Sequence, residues 1–136
     1  MERSLDELLP HRAPARLLTR VWRIDDSTVA GEGQVPHSHA LVVDGEAPAF
    51  VALELAAQAA AAMEAPAGAG AAVVGYLVGV RDAHFSARSV ETDSVLRVEV
   101  RRVGEAPPLS IHLVRVEDAE GAEVVTAKLS TYRAGE

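Results

Sequence analysis

The sequence has no cysteine. Disulfide scaffolds, cysteine-ligated zinc and thiol nucleophiles are therefore excluded, and a reducing compartment is the natural setting. Aromatic residues make up only 4% of the 136 positions, so the bulk of any core must come from Ala, Val and Leu. Positive charge is in deficit: 13 Lys and Arg against 20 Asp and Glu leave a formal charge of −7. A nucleic-acid groove needs a basic stripe, and this balance argues against one. The local exception is Arg12, Arg16, Arg20 and Arg23, which reads first as a solvated strand face. No apolar run reaches the ~20 residues of a membrane span. The nearest candidate, Ala47–Met63, contains Glu54 and Gln58. The N-terminus is acidic and mixed, without an apolar signal region, so a cytoplasmic protein is expected. There is no Gly-x-Ser-x-Gly elbow, no phosphate loop and no dinucleotide glycine pattern.

What is present fits one domain spanning 1–136, with a globular balance of 49% hydrophobic and 24% charged residues. Ser4 is placed to cap a short helical turn over Leu5–Leu9, with Glu7 as its capping-box partner, before Pro10 and Pro14 break it. Ala15–Asp25 and Thr28–Val35 read as strands joined by an Asp25-Asp26-Ser27 turn. Pro36–Ala47 reads as irregular. Pro48 suits the first position of a helix, where a missing N–H costs nothing, and Ala49–Met63 is rich in helix formers. This helix, Pro48–Glu64, has no polar face wide enough for a surface position, so burial nearly all round is expected. Pro66, Gly68 and Gly70 end it. The period then changes to alternation over Ala71–Arg88, Ser94–Val103, Leu109–Glu117 and Glu123–Arg133. Gly104–Pro108 and Asp118–Gly121 are the connections. Two strands, one apolar helix and about four further antiparallel strands predict an α+β fold with a curved sheet wrapped around a central helix. One small sheet covers only one side of such a helix, so a dimer is expected.

Glu54 is the outlier, a carboxyl in the most apolar stretch. Burial there would favour the neutral acid, which can donate a proton at neutral pH; the bland alternative is a polar stripe facing solvent. Gln58 lies four residues on, within reach of the Glu54 carboxyl or of a ligand. His37 and His39 precede the helix, and either imidazole is a natural general base or a surface-loop residue. His37-x-His39 with Asp44 and Glu46 is too weak a pattern to assign a metal. His11, His84 and His112 have no chemical company in sequence. The free N–H groups at the helix start, around Ala49 and Phe50, are candidates to bind a carbonyl oxygen that becomes enolate-like.

With these residues in place, the sequence resembles the hot-dog-fold 3-hydroxyacyl-acyl-carrier-protein dehydratases over nearly its whole length. Leu9-Pro-His-Arg12, with Leu17-Leu18 and Arg20-Val21, looks like that family's N-terminal Pro-His-Arg segment. Glu54-Leu-Ala-Ala-Gln58 looks like its central-helix Glu-x-x-Ala-Gln motif. Phe85–Asp93 followed by Val95–Val100 resembles the later strand pair and the turn before it. The usual loop, His-Phe-Pro-Gly-x-Pro-x-x-Pro-Gly, is here His39-Ala-Leu-Val-Val-Asp-Gly-Glu-Ala-Pro48-Ala49, and His39 stands one residue further from Glu54 than usual. The later Pro-Gly-Asp is Glu91-Thr92-Asp93. These departures look more like the divergent branch associated with aryl-polyene-type lipids than like the housekeeping enzyme.

The resemblance implies a reaction. His39, preferred over His37 on spacing, removes the C2 proton of a 3-hydroxyacyl thioester. Glu54, from the partner subunit of a homodimer or higher oligomer, protonates the departing hydroxyl. The amide near Ala49 polarises the carbonyl, with Phe50 beside it, and Gln58 orients Glu54. The product is a trans-2-enoyl thioester. No metal or redox cofactor is implied, and the substrate rides on a phosphopantetheine arm. The partner is then an acyl carrier protein, or the substrate an acyl-CoA thioester. Carrier proteins are usually acidic, which makes the N-terminal arginines docking candidates. Two other readings stay open: a hot-dog thioesterase whose helix acid activates water, and a non-catalytic acyl-binding or assembly subunit.

Overall fold

The computed structural model describes residues 16–64 and 74–134. The proposed Ser4 cap, the Leu9–Arg12 segment and the Pro66–Gly70 helix stop lie outside the described residues. The elements are β1 (Leu18–Asp25), β2 (Thr28–Gly33), β3 (Glu46–Pro48), α1 (Val51–Glu64), β4 (Val74–Phe85), β5 (Ser89–Glu91), β6 (Leu96–Ala106), β7 (Leu109–Glu117) and β8 (Glu123–Ala134). Six strands form one antiparallel sheet in the order β1-β2-β6-β7-β8-β4, and β3 pairs with β5 in a separate ribbon.

Alternation positions the core. Leu96, Val98 and Val100 of β6, Val114 and Val116 of β7, and Val125, Ala127 and Leu129 of β8 all point inward and are buried. The residues between them on β6, Arg97, Glu99 and Arg101, are exposed, the pattern of a sheet with one wet face. α1 lies against the dry face and packs on β1, β2, β4, β6, β7 and β8. Val51, Ala52, Leu55, Ala56, Ala59 and Ala60 are completely buried there. Small side chains let helix and sheet approach closely. Gly33 shows the tightest point: a Cβ there would run into the Leu17 carbonyl and lie 2.6 Å from Leu55 Cδ1, a place only glycine fills.

The turns follow their chemistry. Asp25 Oδ1 accepts the Ser27 N–H at 2.9 Å, which holds its carboxyl below the ordinary range. Asp118 Oδ1 accepts the amides of Glu120 and Ala122, both at 2.9 Å, and Gly121 takes positive φ. β6 continues through Gly104 to Ala106, so the expected Gly104–Pro108 connection shrinks to Pro107 and Pro108.

Two expectations about the helix need correction. It begins at Val51, not at Pro48. Pro48 instead ends β3 opposite Ser89, and the Ala49 N–H bonds the Arg88 carbonyl at 2.9 Å. Pairing with β5 holds these residues extended, and Pro48 suits a strand end as well as a helix start. Nor is the helix buried all round. Phe50, Leu53, Glu54, Ala57, Ala61 and Glu64 form a stripe at helical spacing that the sheet leaves partly open.

Candidate active site

The loop after β2 turns back over the start of α1. Its local bonds fix its course: the His39 N–H donates to the Pro36 carbonyl at 3.0 Å and the Val42 N–H to the His39 carbonyl at 3.1 Å. Asp44 and Gly45, both at positive φ, then form a two-residue reversal. Val43 and Glu46 exchange both backbone hydrogen bonds across it, at 2.8 and 3.1 Å, as expected for an Asp-Gly hairpin. The Asp93 N–H bonds the Val35 carbonyl and the Thr92 N–H the Gly45 carbonyl, tying the loop down at both ends.

This loop carries His39 to Glu54. His39 Nε2 lies 3.7 Å from Glu54 Oε2; the imidazole is 10% exposed and the Glu54 side chain 49%. His39 Nδ1 accepts the Leu41 N–H at 3.1 Å. His37 points elsewhere, 3.4 Å from Asp93 and largely exposed. The two residues thus meet within one chain, although the sequence reading expected them across a dimer. Of the two readings of Glu54, burial and a stripe facing solvent, the single chain shows the second, with the side chain half exposed. Its neighbours in sequence are apolar, but it falls on the stripe of α1 that faces away from the sheet.

Gln58 has a different task from the one expected. It is buried, and its amide oxygen accepts the backbone N–H groups of Leu17 and Leu18 at 2.8 and 3.1 Å. It anchors the start of β1 to the helix through that oxygen. Gln58→Met should leave two buried donors unsatisfied and cost about 2 kcal/mol. A denaturant melt should show that loss while kcat stays near wild type; a kcat collapse without destabilisation would return Gln58 to the chemistry.

Of the two amides expected to bind a carbonyl, one is taken up. The Ala49 N–H is committed to Arg88, whereas the Phe50 N–H has no hydrogen-bond partner among the described residues. Phe50 precedes Glu54 by four positions and so shares its face. Its ring, 51% exposed, lines an open cleft of about 500 Å³ with Pro48, Ala49, Phe85, Ala87 and Arg88. Among the described residues no group of three or more His, Asp or Glu is placed to hold a metal ion, and no helix is long and apolar enough to cross a membrane. Arg20 pairs with Glu32 at 3.3 Å and lies over the Trp22 ring, while Arg23 bonds the carbonyls of Asp25 and Asp26. Of the four expected docking arginines, Arg20 and Arg23 are thus engaged locally, and Arg12 lies outside the described residues.

A second polar cluster, unanticipated from sequence, sits at the other end of α1. Glu64 accepts two hydrogen bonds from Arg102 Nη1, at 2.8 and 3.0 Å, and lies 3.0 Å from Nε2 of the fully buried His112.

Comparisons with known proteins agree with this architecture. The family model for ApeP-like proteins, described as ApeP dehydratase, matches residues 3–136. The dehydratase heterocomplex ApeI:P from Xenorhabdus doucetiae contains a similar chain, with a TM-score of 0.79 and 24% identity over 97% of this chain and 91% of that one. A hypothetical thioesterase solved with coenzyme A from Streptococcus pneumoniae TIGR4 gives 0.63 and 17% over 85% of both chains. The PaaI protein of the E. coli phenylacetic acid degradation operon gives 0.61 and 10% over 85% and 78%. No curated protein matches the sequence. The fold is the hot-dog fold, an α+β arrangement of one helix in a curved antiparallel sheet.

Proposed function

The chain belongs to the ApeP-like dehydratase family, and from that premise we propose that it dehydrates a 3-hydroxyacyl thioester to a trans-2-enoyl thioester. The observation that carries this reading is the 3.7 Å approach of His39 Nε2 to Glu54 Oε2 at the start of α1. Elimination of water across C2 and C3 moves two protons, one off C2 and one onto the departing hydroxyl. A carboxyl and an imidazole facing each other supply groups for both. The thioester carbonyl takes charge as the C2 proton leaves, and the unpartnered Phe50 N–H at the helix start is the donor to receive it.

The cleft lined by Phe50, one turn before Glu54, supports the substrate class. Phe50, Phe85, Pro48 and Ala87 present apolar surface there, suited to an acyl chain, and the phosphopantetheine arm of a carrier protein or of coenzyme A would deliver it. A partner chain of the same fold is part of this reading. Among the described residues β4 ends the six-stranded sheet with β8 as its only neighbour there. Val80 and Phe85 of this edge and Phe50 beside it are exposed, an arrangement open to strand pairing. The similar chain from Xenorhabdus doucetiae is described as part of a heterocomplex, which favours a non-identical partner beside the homodimer expected from sequence.

The test is a pair of readouts on 3-hydroxybutyryl and crotonyl thioesters, alone and with a second dehydratase-like chain added. Dehydration is expected to appear as reversible enoyl absorbance without release of free thiol. Thiol release without enoyl formation would replace this reading by a thioesterase, and no turnover on any acyl thioester would leave an assembly subunit.

A further inference from the structure

The outer face of the sheet carries a row of positive charge without counter-ions. Register places Arg101 of β6, Leu113 of β7, Lys128 of β8 and Arg81 of β4 side by side across four neighbouring strands. Alternation turns this row away from α1, since the next residues along the strands, Val100, Val114 and Leu129, are the buried ones. Other sheet cations are paired: Arg20 and Arg97 with Glu32, Arg115 with Glu117 and Glu123, Arg102 with Glu64. Arg101, Lys128 and Arg81 make no ion pair among the described residues. In a chain with 20 Asp and Glu against 13 Lys and Arg, acids to pair with them are not in short supply. Lys128 and Arg81 stand directly opposite each other, and like charges so placed destabilise a strand pair.

We infer that this row is the docking surface for an acidic amphipathic helix of a partner protein. Neighbouring strands lie about 4.8 Å apart, so Leu113, Lys128 and Arg81 stand about 5, 10 and 14 Å from Arg101 along the row. On one face of an α-helix, the residues three, seven and ten positions on rise by about 4.5, 10.5 and 15 Å. The two spacings match. An acid, an apolar residue three positions on, and acids seven and ten positions on meet Arg101, Leu113, Lys128 and Arg81 in turn. Leu113, 36% exposed, supplies the apolar contact within the row, and the long cationic side chains on either side of it can reach up to the partner's carboxylates. Arg101, Leu113 and Lys128 line an open groove of about 310 Å³, with Asp82 and Glu99 also in its wall. Glu99 stands one row over, opposite Arg115, and Asp82 sits at positive φ in the register shift beside Arg81. These two acids repel carboxylates that stray from the row and so confine the partner's acids to it. The sheet lies between this surface and α1, so docking here does not cover the helix.

The probe is an alanine-based helical peptide of about twenty residues, with Glu, Leu, Glu and Glu at that spacing. It is labelled for fluorescence anisotropy and titrated with the full chain at low salt, where exposed charges are least screened. Saturable binding is expected. The double variant Arg101→Glu, Lys128→Glu should weaken it at least about tenfold, since two attractions become repulsions. Leu113→Ser should weaken it by about threefold without any change of charge. Because Lys128→Glu also ends the repulsion with Arg81, the double variant's Tm should not fall below that of wild type, which separates lost docking from lost folding. No binding by wild type, or full affinity retained by the double variant, would overturn the inference. So would a Leu113→Ser variant that binds like wild type, or polyglutamate or inorganic phosphate competing as well as the peptide at equal charge, since the row would then be a patch for any anion.

Discussion

Glu54→Gln is expected to lower kcat on a 3-hydroxyacyl thioester by about three orders of magnitude, within the range by which positioned acid–base groups accelerate proton transfer. The amide keeps the shape and the hydrogen-bonding reach of the carboxylate but neither accepts nor returns a proton. KM should change little, because Phe50 and the cleft wall, rather than Glu54, present the apolar surface to the acyl chain. Stability should stay within about 0.5 kcal/mol of wild type, as for most exposed substitutions, since the side chain is half exposed. Glu54→Asp, which retracts the carboxyl by one methylene from His39, should fall between the two. Steady-state kinetics on 3-hydroxybutyryl thioesters and a thermal melt separate these effects. A variant that keeps its rate would move the chemistry away from α1 altogether.

Much of this arrangement was legible in the sequence, for identifiable reasons. Alternation in β6, β7 and β8 revealed the sheet because each strand has one wet and one dry face. The run of small apolar residues revealed the helix, and Glu54 stood out against it. The Asp44-Gly45 reversal that delivers His39 was present as a turn signal. What remained hidden depends on tertiary partners. Pro48 is compatible with a helix start or a strand end, and only β5 decides between them. Gln58 sits one turn from Glu54 in sequence, yet the donors it meets come from Leu17 and Leu18, about forty residues away. The burial of Glu54 was inferred from its neighbours along the chain, whereas exposure is set by which face of α1 the sheet covers. The choice between His37 and His39 turns on where the folded loop carries each ring, one to Glu54 and the other to Asp93, which residue identity does not reveal.

The least legible feature carries the second large effect. Glu64 is the last residue of α1, where the helix dipole disfavours a negative charge, and its side chain is only 11% exposed. An acid there should be unwelcome on both counts. Burial does oppose its ionisation, but hydrogen bonds from His112 and Arg102, with the charge of Arg102, outweigh it and hold the carboxyl below its ordinary range. In return the Glu64 hydrogen bond holds the Arg102 guanidinium above its ordinary value, with Glu105 adding to it. The cluster ties the C-terminal end of α1 to β6 and β7. Removing one member of a buried ion pair costs about 3–5 kcal/mol, because the other charge is left uncompensated. Glu64→Leu should therefore lower stability by about 3 kcal/mol at neutral pH, roughly 10 °C in Tm for a chain of this size. The sign of its pH dependence follows from the lowered pKa: the contribution is full above the unfolded carboxylate value and is lost as pH falls through the folded value. Urea denaturation at about pH 7 and about pH 3 should show the gap between wild type and Glu64→Leu narrowing at the acid end. A gap of constant size would assign the stabilisation to packing instead of charge. Since Glu54 lies at the opposite end of the same helix, the variant that remains folded should keep its chemistry, separating the group that holds α1 in the sheet from the one that acts on the substrate.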